Sequence, residues 1–213
     1  QINNMATYQS IRYNVDYQGN AGSLMPLSLF TSDGSDATAS FTSKIDSTYD
    51  SYLFIFNSIH PETDAQRFSF NVSTDTGSNY NIAKTTTQFT SYHTEAGGSE
   101  LAYATADDLG QGTGVQYLTA GVGNGSDECC SGYFRLFNPA STTFSKQFMS
   151  RVNHYHKDNI ADSIFAAGYI STTSAVDAIQ FSFASGEIQA GTIGMFGAVS
   201  YTHLRAHETG RNL

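Results

Sequence analysis

Tryptophan is absent from this 213-residue chain, and its only cysteines are the adjacent pair Cys129 and Cys130. Without tryptophan the usual sugar-stacking platform of a glycoside-cleaving cleft is missing, although tyrosine can replace it. A bridge between neighbouring cysteines is strained because their side chains diverge, so the pair is expected as free thiols made in a reducing cytoplasm. Charge is also scarce: 14% of residues are Asp, Glu, Lys or Arg, against the usual quarter or so. That excludes long exposed helices laced with Glu and Lys. Cations are scarcer still, 10 against 19 acidic residues, for a net charge of −9. Such a field repels phosphate backbones and argues against a nucleic-acid partner. No apolar run approaches the ~18 residues a bilayer span needs, so no membrane insertion is expected. Gly-x-Ser-x-Gly, phosphate-loop, dinucleotide-binding and His-Glu-x-x-His motifs are all missing. No enzymatic machinery and no cofactor are therefore expected, although two carboxylates converging from distant strands would leave no sequence trace.

Aromatic residues and turn formers are plentiful: Phe 15, Tyr 13 and Gly 19. Strand signals recur every ten to twenty residues, and no stretch keeps a 3.6-residue period. The run 52–56 is apolar at every position, as in a central strand covered on both faces. Runs 67–73 and 178–183 alternate, which points Phe68, Phe70 and Val72, and Ile179, Phe181 and Phe183, into a core. Further strands are expected at 133–137, 147–152, 164–170 and 192–198, with weaker signals at 24–30, 39–42, 89–93 and 115–122. Turns are marked by Asp33-Gly34, by Asp75 through Asn79, by Gly121 through Gly125 and by Ser185-Gly186. The stretch 95–114 reads as a long surface loop with at most one helical turn. The pattern predicts an all-β fold: an antiparallel β-sandwich, jelly-roll-like, in a single domain.

Three constellations could carry chemistry. In His154-Tyr155-His156 the two imidazoles would share one face of a strand and could chelate iron or zinc. Two ligands do not complete a metal site, so the plainer reading is two hydrated histidines at a strand end. Asp127-Glu128-Cys129-Cys130 lacks partners for zinc, and a small buried cysteine at a strand start explains it. The oxygen-rich turn 75–79 lacks calcium-loop spacing, and a turn with glycine at positive φ suffices. Asn71-Val72-Ser73 and Asn124-Gly125-Ser126 match glycosylation acceptors, which matter only in a eukaryotic secretory setting.

The chain opens on Gln1, with no basic-then-apolar leader, so its natural start is expected either upstream or at Met5. At the other end, Val199-Ser200-Tyr201-Thr202-His203-Leu204-Arg205-Ala206-His207-Glu208-Thr209 looks like the translation of a transposon-based sequencing adapter. On that reading the i, i+4 pair His203 and His207 means nothing. Taking out two Arg and one Glu leaves 8 basic against 18 acidic residues. The expected organisation is a lead-in at 1–23, a β-sandwich at 24–199 and an adapter-derived tail at 200–213.

Several runs carry a resemblance. They are Phe41-Thr42-Ser43-Lys44-Ile45-Asp46-Ser47-Thr48-Tyr49-Asp50, Asn57-Ser58-Ile59-His60-Pro61, Ser73 through Asn81 and Lys84-Thr85-Thr86-Thr87. Further on come Cys130-Ser131-Gly132, Leu136-Phe137-Asn138-Pro139, Gly168 through Val176, and Phe181 through Gly197. Together they resemble a family of uncharacterised virion proteins of marine bacteriophages. The resemblance implies a β-sandwich in a tail fibre, appendage or capsid decoration, located in the virion and made in the host cytoplasm. Its partners would be other virion proteins and a host-surface glycan, and a fibre tip would be a homotrimer. It implies no catalytic residue; by analogy with phage tail tips it raises His154 and His156 as iron ligands. The loops 121–127 and 153–159 are the expected contact surface. The alternatives are a carbohydrate-binding module of a larger secreted protein and, third, a glycoside hydrolase-like enzyme.

Overall fold

The computed structural model describes residues 24–198. The lead-in 1–23, Val199, and the tail 200–213 with His203 and His207 lie outside the described residues.

Twelve strands and no helix make up the described chain. They are β1 Leu24–Thr31, β2 Ala39–Phe41, β3 Ser51–Pro61, β4 Phe68–Ser73, β5 Lys84–Thr94 and β6 Ser99–Tyr103, followed by β7 Gln116–Tyr117, β8 Cys130–Phe137, β9 Lys146–His156, β10 Ile160–Ile170, β11 Ala178–Phe183 and β12 Ile188–Ala198. One sheet has the order β1-β12-β3-β8-β9-β10-β5-β6 and the other β2-β11-β4-β7; the pairings are antiparallel. Leaving out β5, β6, β9 and β10 exposes the logic. The remaining eight strands form two four-stranded sheets, β1-β12-β3-β8 and β2-β11-β4-β7, wound as a jelly roll. The two hairpins β5–β6 and β9–β10 then extend the first sheet beyond β8. The fold is thus an antiparallel jelly-roll sandwich with a four-stranded wing.

Alternation dictates which side chains meet between the sheets. Tyr52, Phe54 and Phe56 of β3, Phe134 and Leu136 of β8, and Phe68, Phe70 and Val72 of β4 are all buried. Ile179, Phe181 and Phe183 of β11 join them. Phe181 sits at the centre, its ring centroid 5.0–6.3 Å from those of Phe41, Phe54, Phe56, Phe68 and Phe134. β4 goes further than its alternation predicts, because all six of its residues are buried. Its polar set is used: Ser69 donates to the Ser182 carbonyl at 2.9 Å, and Asn71 donates to the Tyr80 and Thr113 carbonyls.

Two sequence expectations need correction. The run 52–56 is not covered on both faces: Leu53 is half-buried and Ile55 is exposed, so β3 shows its second face to solvent. The stretch 95–114 is not one long loop. It contains β6, which pairs with β5 from Phe89↔Tyr103 to His93↔Ser99. The hairpin closes through Gly97, with φ +89°, while the Thr94 amide donates to the Gly98 carbonyl at 2.7 Å.

Candidate functional site

The outer face of the eight-stranded sheet is the most unusual surface of the molecule. Register carries one row of outward side chains across every strand. Leu29 of β1 lies beside Gly194 of β12, then Ile55 of β3, then Tyr133 of β8. The row continues through Arg151 of β9, Phe165 of β10, Phe89 of β5 and Tyr103 of β6. Phe89 and Phe165 stack at 4.7 Å with planes 7° apart, and the Arg151 guanidinium lies 4.8 Å from the Phe165 centroid. Those rings cover each other's faces, leaving mainly their electropositive edges outward. Among the described residues, nine of the ten exposed large hydrophobic side chains lie on these eight strands, the tenth being Phe144 in the β8–β9 loop. Single exposed apolar groups are ordinary, but so concentrated a set on one sheet face marks an interaction surface.

The charge on this face is equally segregated. The eight strands contain two carboxylates, Asp162 and Glu100, and both occur at inward-phase positions, in the register row Asp162↔Tyr92↔Glu100. Arg135 and Arg151 point outward without a carboxylate partner among the described residues. Arg135 is anchored instead by the Ser51 hydroxyl, at 2.9 Å, and by the Phe137 ring, at 4.9 Å. At one end of the face Ala161 sits between the larger His93 and Tyr155 on the flanking strands. The gap opens a pocket of about 360 Å³, also lined by Glu95, Asn153 and Asn159. The Tyr155 hydroxyl donates to Asn159 Oδ1 at 3.0 Å and approaches Glu95 Oε1 at 3.3 Å.

The two loops expected as a contact surface do come together. The Gly123 amide donates to the Tyr155 carbonyl at 3.2 Å and the Lys157 amide to the Gly121 carbonyl at 3.1 Å. Asn124 joins them to the segment after β3 by donating to the Glu62 carbonyl. This end of the sandwich brings together Glu62, Asp64 and Glu128 around Asn124 and Gly125, with Lys157 paired to Asp158, and carries a net excess of acid.

His154 and His156 share a face as their spacing predicts, with ring centroids 6.0 Å apart. They are not a hydrated pair, however. His154 is buried beneath the sheet with neither ring nitrogen hydrogen-bonded, whereas His156 is half-buried. Burial, and secondarily His156, pushes the His154 pKa down to about 3. Its register neighbours are Cys130 and Asp162, the latter 3.7 Å away from Nε2 to Oδ2. No group of three or more His, Cys, Asp or Glu side chains among the described residues could hold a metal ion. Cys130 opens β8 fully buried, and burial raises its thiol pKa, so the row Cys130–His154–Asp162 offers no accessible thiolate.

Asp107 and Asp162 line one small cleft, the arrangement a hydrolase would require. Its volume is about 220 Å³, below the roughly 300 Å³ at which small-molecule sites begin. Asp107 is ion-paired to Arg67. Asp162, its pKa raised by burial, accepts from the Thr90 hydroxyl. In the turn 75–79 the Asp75 carboxylate accepts from the Asn79 amide at 2.9 Å and from the Ser73 hydroxyl at 2.6 Å. Gly77 there has φ +84°; the oxygens are spent on the turn itself. Asn71 is buried and bonded, which removes it as a glycosylation acceptor.

Among the described residues no helix is long and apolar enough to cross a membrane. Neither a protein-family model nor a curated protein matches the sequence.

Proposed function

We propose that this chain is a structural domain of a phage virion, a tail-fibre, appendage or decoration module without enzymatic activity. One observation carries the reading: a sheet face that gathers nearly all the exposed large apolar side chains of the described residues and whose strands carry no outward carboxylate. That is what a domain built for assembly presents. The virion setting rests on the resemblance running from Leu24 to Ala198. In this reading the outer face docks within the particle, and the acidic loop end is free to meet the host surface.

A carbohydrate-binding module is the second reading, favoured by the pocket at Ala161. There a tyrosine, two asparagines, two histidines and a glutamate surround a cleft that exceeds the lower bound for small ligands. Mass spectrometry of purified particles from a host population carrying the gene separates the two. The chain is expected in the particles at structural-protein stoichiometry. Its absence there, with retention on immobilised glycans, would establish the second reading in place of the first.

A further inference from the structure

We infer that the outer face of the eight-stranded sheet is the contact between two copies of this chain. The twofold axis runs parallel to the strands, between β8 and β9. The inference rests on reading that face as an assembly surface, and does not depend on the virion setting.

Size comes first. Seven inter-strand spacings of ~4.8 Å make the face roughly 34 Å wide, and three outward rows add roughly 20 Å along the strands. The resulting ~700 Å² per copy is close to the ~800 Å² per partner of a standard stable interface. Composition agrees: aromatics, Met149 and two arginines are present while outward Lys, Asp and Glu are absent. This is the bias of interface cores relative to ordinary surface.

Register identifies the occupant. A twofold axis along the strands reverses strand order, so the first residue of a row meets the last residue of the same row in the second copy. In the central row Tyr133 then faces Arg151, and Ile55 faces Phe165. Gly194, over which the Phe196 ring folds, faces Phe89, and Leu29 faces Tyr103. A guanidinium meets a ring, and apolar groups meet apolar groups. In the next row Leu53 meets Ala167 and Arg135 meets Met149. Neither arginine meets an arginine. A twofold axis across the strands would instead set Arg151 against itself. Two such sheets would stack ~10 Å apart with their strands aligned.

Sedimentation equilibrium of the full 213-residue chain tests this. A dimer is expected, and Ile55→Glu, which would bury a carboxylate against Phe165 of the second copy, should weaken it about 100-fold. Phe144→Ser, at the exposed phenylalanine off the face, should leave the dimer unchanged. A thermal melt of each variant shows that the fold is intact. Mixing Tyr133→Cys chains with Arg151→Cys chains and a short bismaleimide, which spans the ~10 Å between sheets that a disulfide cannot, should give more cross-linked dimer than either alone. A monomer at 100-fold the working concentration, a trimer, or a dimer indifferent to Ile55→Glu would overturn the proposal. A monomer found in purified virions would sink this inference alone. A dimer absent from virions would sink only the virion reading.

Discussion

Between β3, β8 and the smaller sheet the interior is phenylalanine on phenylalanine, whereas under the wing the apolar Phe148, Val152 and Ile164 give way to a polar layer beneath β5. Lys84 of β5 is buried and donates to Asn71 Oδ1 at 2.6 Å and to the Ile82 carbonyl at 3.0 Å. Burial pulls its pKa down to about 8. Nearby, Gln116 accepts from the Thr86 hydroxyl and donates to Gln88 Oε1 at 2.7 Å and to the Asp107 carbonyl at 3.0 Å. His154 and Asp162 extend this polar layer to the far end of the sheet. The cause is coverage. The smaller sheet has only four strands, so the wing is roofed partly by the irregular chain around β7. Strand backbones satisfy their own hydrogen bonds; a roofing loop cannot, and side chains under it must supply donors and acceptors. Thr86 shows this directly, its amide donating to the Leu109 carbonyl and its hydroxyl accepting from the Leu109 amide.

If the two interiors differ in this way, they should fail differently. The largest effect is expected in the aromatic half: Phe181→Ala leaves a cavity among five rings and should cost about 3–5 kcal/mol in urea unfolding. A loss below 1 kcal/mol would show that the half is loosely packed. In the polar half the effect should depend on pH. His154 stays neutral in the fold to about pH 3 but protonates near 6.5 when unfolded. The unfolded state therefore binds the extra proton, and stability falls as pH drops below 6.5 by about 1.4 kcal/mol per unit, levelling near 3. Asp162, with its raised pKa, opposes the trend at the low end of that window. Between pH 6.5 and 4.5 the unfolding midpoint should fall by about 2–3 kcal/mol equivalent, and His154→Leu should flatten the slope. An unchanged slope in that variant would remove His154 as the cause. Smallest is Gln116→Leu, which strands Thr86 and Gln88 without much change in volume and should cost about 1–3 kcal/mol. A gain in stability would mean that the polar layer tolerates apolar replacement.

Much of the jelly roll is legible in the residues. Alternation placed Phe68, Phe70, Ile179 and Phe181 inward, and the run 178–183 coincides with β11. β6 was legible in principle: Gly97-Gly98 between two runs is a hairpin signal, hidden because Ser99–Tyr103 is short and its outward Leu101 and Tyr103 remain exposed. The outer face was not legible, since Leu53 and Ile55 read as core. Nor was the burial of His154, which follows from neighbours brought in by β8 and β10.

Local pattern alone determined the strands, their inward faces and the all-β class, because a two-residue period and turn chemistry are properties of adjacent residues. Only the tertiary structure decided that β3 has one naked face, that eight outward residues line up in a single row, and that two arginines stand there without acids. Those facts belong to register between strands as far apart as β1 and β6. Register is set by the whole sheet, and no window of sequence contains it.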